Sequence, residues 1–358
     1  MRGPPAGDLI GLDIGSTLVK AARFDRRGRL LAVNRRVVPV RRLSPGRVER
    51  DAEATWRAAA ACLRGVARDG NIAAVGLTGC GNGAIFTDKT GKPLLPGILS
   101  SDIRATAHLP AAGLTATGAA YAGQTPGLIA WLRAEKPAVA RRTAGVYGWK
   151  DYIRFRLTGE PATDPTDLGA AGWLDAADEL WLPPVRPSLA IAGRVPAGLA
   201  RTTGLTAGTP VVTGCIDCEA AAIGSGVFAE GDVSIVAGTW SINQIYRASR
   251  APAGQLFLCN PSVHPGRWLW LEGSPTSSAN VEWAAHSLFP GRSLAAVLAL
   301  AARARKGGPI FVPRVPLGEG AFFGMGISDG PAELVRAVIE GIAFAHRAHV
   351  ERLQVDPA

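Results

Sequence analysis

Two segments of this chain share one local design, an apolar run that breaks into a glycine followed by hydroxyl residues. The first is Leu9-Ile10-Gly11-Leu12-Asp13-Ile14-Gly15-Ser16-Thr17, and the second is Val233 to Ala237 followed by Gly238-Thr239-Trp240-Ser241. An echo of this kind, one copy in each half, predicts two related domains facing each other across a cleft. In the first copy Leu9, Ile10 and Leu12 read as a buried strand that Asp13 ends with a carboxylate, and Val19 to Phe24 return in extended form. Gly15 lets the backbone approach a ligand closely, and Ser16 and Thr17 add hydroxyls beside the exposed N–H groups of the turn. A carboxylate next to a donor-rich turn suits a metal-bound nucleotide phosphate. An ordinary hairpin that opens a domain has the same pattern, so the first turn alone leaves both readings open.

The second turn changes the weighing. Between the two copies, Pro210 to Asp217 reads as a strand that ends in an acid. Two glycine–hydroxyl turns flanking an acid-tipped strand fit phosphoryl transfer, which needs donors around the phosphate, a metal and a positioned base. Asp217 suits that base. It equally suits a simple N-cap for a helix over 218–225, and on the pattern alone the cap reading stands first.

The rest of the chain alternates strands and helices. Asp51 caps a helix running to about Arg68, with Trp56, Ala60, Leu63 and Ala67 on one face and Gly70-Asn71 as its stop. Ile72 to Thr78 is a buried strand leading into the loop Gly79-Cys80-Gly81-Asn82-Gly83. Residues 126–158 read as helical, with Pro126 as one start and Gly159 as the final stop. The Pro-, Asp- and Gly-rich stretch 160–195 reads as irregular. Strands follow around Ile245 and at Trp268 to Leu271, then helices at Ser278 to Leu288 and Leu294 to Arg305. A short strand at Pro309 to Pro313 and a long helix from Pro331 to Leu353 complete the reading.

A length of 358 residues suggests about two domains. No apolar run approaches the roughly 20 residues of a membrane helix, and the N-terminus lacks a secretory apolar region. Five scattered cysteines favour reduced thiols and a cytoplasmic protein. The net charge of +10 does not point to nucleic acid, because 33 of the 39 basic residues are Arg, spread along the chain without a basic tail or interleaved aromatics. A basic surface is compatible with anionic substrates such as nucleotides. Cys215 and Cys218 have metal- or redox-type spacing, but with no second pair nearby they read as small core thiols. His346 and His349 share a helix face that reads as partly solvated, and Trp268, Trp270 and Trp283 read as core packing.

Five segments, in order, give the chain a resemblance to the FGGY carbohydrate kinases of the actin-like ATPase superfamily over nearly its whole length. Leu12-Asp13-Ile14-Gly15-Ser16-Thr17 with Lys20 is similar to that family's first phosphate segment. Lys150-Asp151-Tyr152, Leu157-Thr158-Gly159 and Thr163-Asp164 are similar to its central helix and loop. Gly208 to Val212 through Gly214-Cys215-Ile216-Asp217 resembles the strand with its catalytic aspartate. Gly231-Asp232-Val233 through Gly238-Thr239 resembles the second phosphate segment, and Glu340 to Phe344 the long helix of the second domain. Ser100-Ser101-Asp102, Gly238-Thr239-Trp240-Ser241 and Glu272 to Trp283 resemble the L-xylulose kinase branch. Cys80-Gly81-Asn82 departs from the Gln, Met and His of many relatives, which bears on which sugar hydroxyls are read.

The resemblance implies an α/β, actin-like ATPase (ribonuclease H-like) fold, with an N-terminal sugar-kinase domain over 1–241 and a partial C-terminal domain over 242–358. It implies ATP-dependent phosphorylation of a sugar primary hydroxyl, most simply of a pentulose such as L-xylulose, with another ketose or a polyol as alternative. Asp217 would be the general base and touch the sugar. Asp13 would hold Mg²⁺, and Gly15, Ser16, Thr17, Gly238 and Thr239 would surround the nucleotide phosphates. Lys20 either touches phosphate or is a solvated strand side chain, and Asn82, Asp102 and Arg104 would bind sugar hydroxyls. The partners implied are sugar and ATP, with neither nucleic acid nor membrane, and with room for a homodimer. Complete relatives continue past the position of Ala358 with a glycine-rich adenosine-binding part, so a second expectation is a non-catalytic remnant or fragment that binds sugar at most.

Overall fold

The computed structural model describes residues 7–44, 46–68, 71–114, 122–174, 181–238, 240–252 and 254–354, and the expected stops at Gly70 and contact at Thr239 lie outside them. The chain divides into two units, Met1–Ala221 with Asn260–Arg267, and Ala222–Cys259 with Trp268–Ala358. Residues 222–241, placed with the N-terminal domain from sequence, lie in the second unit.

In the first unit, β1 (Asp8–Ile14), β2 (Leu18–Phe24) and β3 (Leu30–Val37) form an antiparallel meander. β4 (Val40–Leu43) and β5 (Arg47–Arg50) lead to α1 (Ala52–Ala67), and β6 (Ile72–Gly79) follows. Next come β7 (Ile85–Thr87), β8 (Gly97–Ile98), α2 (Thr125–Glu135), α3 (Pro137–Ala140), β9 (Gly145–Tyr147), α4 (Trp149–Thr158) and α5 (Pro165–Ala171). β10 (Ile191–Arg194), α6 (Ala200–Thr203), β11 (Pro210–Val212), β12 (Cys215–Ile216) and α7 (Asp217–Gly224) complete the run, α7 straddling the division. The main sheet has the order β10–β11–β6–β1–β2–β3, with β12 also on β6.

Sequence explains the register. Ile10, Leu12 and Ile14 alternate inward on β1 and are buried, while Leu9 faces out. Helix α1 covers this face with Trp56, Ala59, Ala60, Leu63, Val66 and Ala67. Its N-terminus is capped as expected, Asp51 Oδ1 accepting from Ala54 N–H at 2.9 Å. Because β6 runs parallel to β1 and β12 parallel to β6, Asp13 lies beside Thr78, and Thr78 beside Cys215. The carboxyl ends of three neighbouring strands therefore converge, the usual place for a ligand in an open parallel sheet.

Two expectations are corrected here. The stretch 160–195 contains α5, because Asp164 caps it and Pro165 occupies its first turn, where a missing N–H does no harm. Pro210 to Asp217 is two short strands, because Gly214 adopts φ +87° and its α-carbon lies so near Leu77 O that a Cβ would come to 2.1 Å.

In the second unit, β13 (Val233–Ala237), β14 (Ser241–Arg247), β15 (Leu258–Pro261, across the division) and β16 (Trp268–Ser274) precede α8 (Ser278–Ser287) and α9 (Leu294–Ala301). β17 (Ile310–Val312), β18 (Ala321–Phe323) and α10 (Pro331–Gln354) follow. β13, β14 and β16 form an antiparallel sheet, against which α10 packs. Trp270 is buried in this unit's core and Trp283 stacks on Phe311 at 6.1 Å. Among the described residues no helix is long and apolar enough to cross a membrane.

Candidate active site

Asp13 is the penultimate residue of β1, and its carboxylate is half-open to solvent, 3.2 Å from Lys20 Nζ on β2. Lys20 is thus the counter-ion of Asp13, a role the sequence reading did not contain. The turn between these strands is tight at Gly15, where a Cβ would stand 2.9 Å from Leu18 O, and Ser16 and Thr17 are exposed at its tip. Arg50, at the end of β5, holds the turn from beneath. It donates from Nη1 to Gly15 O at 2.6 Å and to Ser16 O at 2.9 Å, and its guanidinium lies 4.0 Å over the Trp149 ring. Arg50 is fully buried, and its Nε and Nη2 have no hydrogen-bond partner among the described residues. Burial pulls its pKa down. Nothing in the sequence separates Arg50 from the many other arginines.

Asp217 opens α7, its Oδ1 accepting from Cys218 N–H at 2.8 Å. The residue is exposed, and its carboxylate receives the N–H of the next residue in the first turn of the helix. The surrounding protein desolvates the carboxyl and Asp13 repels its charge, which together push it up to about 6. The neighbouring thiols of Cys80 and Cys218 are raised by burial, so they stay protonated and inert.

The sugar-side residues divide. Asn82 takes a left-handed conformation (φ +63°) and donates from Nδ2 to Ala170 O at 3.1 Å, which ties the glycine-rich loop to α5. Asp102 is buried and already engaged. Oδ2 accepts from Val48 N–H at 2.6 Å, and both oxygens take a bidentate pair from Arg104 at 2.8 Å. Arg104 also donates to Glu49 Oε1 at 2.8 Å and lies over the Trp131 ring. The structure brings Asp102 and Arg104 together as an ion pair with each other, and it places Asp13 at the end of β1 and Asp217 just past the end of β12, with β6 between these strands.

A second charged group lies beneath. Lys150 Nζ sits 2.6 Å from Asp151 Oδ1, 2.7 Å from Asp164 Oδ2 and 2.9 Å from Asp167 Oδ2, with Arg154 Nη1 2.6 Å from Asp151. The three carboxylates have the spacing of a cation site, and the Lys150 ammonium fills it. Burial opposes that charge, but the carboxylates outweigh it and hold the Lys150 pKa well above its ordinary value. Asp167 is pushed up to about 8, by burial first and by the two other acids, against the pull of Lys150. With Asp167 protonated, two cations face two anions.

In the second unit, Gly238 O accepts from Ser278 N–H at 2.9 Å, fixing the end of β13 to α8. The helix-face reading of His346 and His349 is corrected. His346 is buried, and the two rings join an ordered chain because Asn243 lies between them. Asn243 Oδ1 accepts from His346 Nδ1–H at 2.8 Å, and Asn243 Nδ2 donates to His349 Nδ1 at 2.9 Å. His346 Nε2 then accepts from Ser277 Oγ at 3.3 Å, and His349 Nε2 donates to Ser274 Oγ at 3.2 Å. Burial lowers both imidazole pKa values, which keeps the rings neutral as the chain requires. The polar residues of β14 and β16 that face α10 were the available signal.

The N-terminal domain of the FGGY family of carbohydrate kinases matches residues 9–224. The L-xylulose/3-keto-L-gulonate kinase of Escherichia coli is 31% identical over 386 aligned positions, which cover 96% of this chain and 77% of that protein. Xylulose kinase from Rhodospirillum rubrum superposes with a TM-score of 0.86 at 28% identity, over 97% of this chain and 78% of that one. Xylulose kinase from Lactobacillus acidophilus gives a TM-score of 0.88 at 22% identity, over 98% and 79%. With the strand-end acids, the tight glycine–hydroxyl turn and the α/β architecture, these likenesses place the chain in the FGGY family of carbohydrate kinases.

Proposed function

We propose that this kinase transfers the γ-phosphoryl group of ATP to the primary hydroxyl of a ketopentose such as L-xylulose, with Asp217 as general base. The observation that carries the reading is the placing of Asp13 and Asp217 at the ends of the two strands that flank β6, near enough for the Asp13 charge to help raise the Asp217 carboxyl to about 6. A base of that strength is ionised at neutral pH and still takes up a proton readily. Asp217 receives the hydroxyl proton as the sugar oxygen bonds to the γ-phosphorus, the bond from that phosphorus to the β,γ-bridging oxygen breaks, and ADP leaves. Asp13 is a hard-oxygen donor suited to Mg²⁺, with Lys20 as its counter-ion when the metal is absent. The metal, when bound, spreads the phosphate charge. The Gly15–Thr17 turn, held by Arg50, offers backbone donors to phosphate, with Gly238 and Thr239 assigned the same role from their sequence pattern.

On the sugar side, Asn82 fits hydroxyl recognition as part of a fixed loop. Asp102 and Arg104, paired with each other, fit the same site by shaping its wall and offering only the bonding capacity left over. The test is ADP release with a panel of L-xylulose, D-xylulose, 3-keto-L-gulonate, a hexulose and a polyol. The expected result is the highest kcat/KM on L-xylulose, and turnover confined to the polyol would overturn the ketose assignment. Calorimetry with ATP, alone and with sugar, separates a working kinase from a chain that binds sugar only.

A further inference from the structure

Lys150, Asp151, Arg154 and Asp164 lie in a segment that the catalytic reading leaves unused, although they form a connected charged cluster. All four side chains are buried. A charged cluster kept out of water costs stability unless each member is bonded, so its connections show what it is for. Besides those to Ala162 O and to the start of α5, several lead to one place, the four residues before Asp217.

Thr213 O accepts from Arg154 Nη1 at 3.0 Å. Gly214 N–H donates to Ser188 O at 2.9 Å, and Ser188 Oγ donates to Asp164 Oδ1 at 3.1 Å. Cys215 O accepts from Thr78 Oγ1 at 2.8 Å. Ile216 N–H donates to Thr166 Oγ1 at 2.9 Å, and Thr166 Oγ1 donates onward to Asp164 Oδ1 at 2.5 Å. Asp164 Oδ2 is held in turn by Lys150 Nζ. Each residue from 213 to 216 is therefore bonded through a main-chain atom, three of them to the cluster or to residues bonded to it. β12 itself is too short to fix its own direction, and Gly214 breaks it from β11.

We infer that the Lys150–Asp164 cluster, acting through Thr166, is the positioning device for Asp217, an inference that rests on reading Asp217 as the base. Lys150 and Arg154 neutralise the acids, Asp164 orients the Thr166 hydroxyl, and that hydroxyl fixes the peptide that precedes the base. None of these residues touches substrate. Their contribution is to hold the carboxylate within the narrow range of positions from which it can take the hydroxyl proton.

Thr166→Val tests this, because it removes one hydroxyl from a side chain of the same shape, and Thr166→Ser is the conservative control. Thr166→Val should lower kcat about tenfold or more while the sugar KM stays within about threefold. The acid limb of kcat/KM should move from its wild-type position, amide exchange at Ile216 should rise, and Thr166→Ser should restore all of these. A folded Thr166→Val enzyme with wild-type kcat and an unmoved limb would overturn the inference. Asp217→Asn, measured in parallel, keeps the two ideas apart. If it turns over normally the base assignment fails, whereas an inactive Asp217→Asn beside an unaffected Thr166→Val sinks the positioning role alone. Should turnover lie below detection, the ¹³C titration of the Asp217 carboxyl decides instead, and an identical midpoint in wild type and Thr166→Val counts against the inference.

Discussion

Asp217 carries two properties that pull in opposite directions. The crowding and the Asp13 charge that raise its pKa to about 6 also make its ionised form a burden on the fold. A carboxyl whose pKa is higher folded than unfolded stabilises the protein fully below the ordinary value, and that contribution is lost as pH rises through about 6. With Asp217 as the proposed base, activity would have the opposite sign, because a base works only when ionised. Turnover by wild type should therefore fall with an acid limb near pH 6 in a kcat/KM profile. Asp217→Asn should lose roughly 10³-fold in kcat while melting no lower than wild type at neutral pH. An unaltered rate in that variant removes Asp217 from the chemistry. Arg50 gives a second residue-scale expectation, since Arg50→Met cuts both bonds to the first turn. The KM for ATP should rise about tenfold with the sugar KM little changed, as checked by varying each substrate in turn.

At the scale of elements, long periodic segments were legible and short ones were not. Helix α1 could be read to within a residue because a capping Asp51 and an apolar stripe both mark it. Leu63→Ala within that stripe should cost about 2–5 kcal/mol in urea unfolding, since Leu63 is fully buried. Helix α5 was hidden by a composition rich in Pro and Asp, which at a helix start means a cap and a first turn rather than a loop. The break at Gly214 was invisible because a glycine inside an apolar run has no sequence mark of its φ. The acids of the site were readable as candidates, whereas Arg50, Thr166 and Asp167 act through contacts between distant segments. Asp167 gives the element-scale pH test. Its carboxyl, raised to about 8, stabilises the fold at low pH and loses that contribution progressively until pH passes about 8. Asp167→Asn imitates the protonated form, so its stability relative to wild type should grow from pH 5 to pH 8 and then level off, as measured by denaturant melts. A constant difference across that range would show that Asp167 is not the titrating group.

At the scale of the whole molecule, the two units each carry one of the echoed segments, and the division falls before β13 rather than after it. The excess of ten positive charges over the chain bears on kinetics rather than on fold. An anionic nucleotide should feel that field and a neutral sugar should not. Raising salt from about 50 to 500 mM should lower kcat/KM for ATP several-fold more than for the sugar, because the screening length shrinks below the span of the surface charge. Equal loss for both substrates would assign the effect to stability instead.

Lys150 occupies a three-carboxylate nest of the kind that elsewhere takes a divalent ion. An ammonium on a covalent tether cannot be dialysed out or exchanged. Chelation that strips the metal from the nucleotide should leave the strand beneath Asp217 as well ordered as before. On the proposed chemistry the enzyme would separate two demands on positive charge, keeping one cation as permanent scaffolding and borrowing the other, with each nucleotide, only for the moment of transfer.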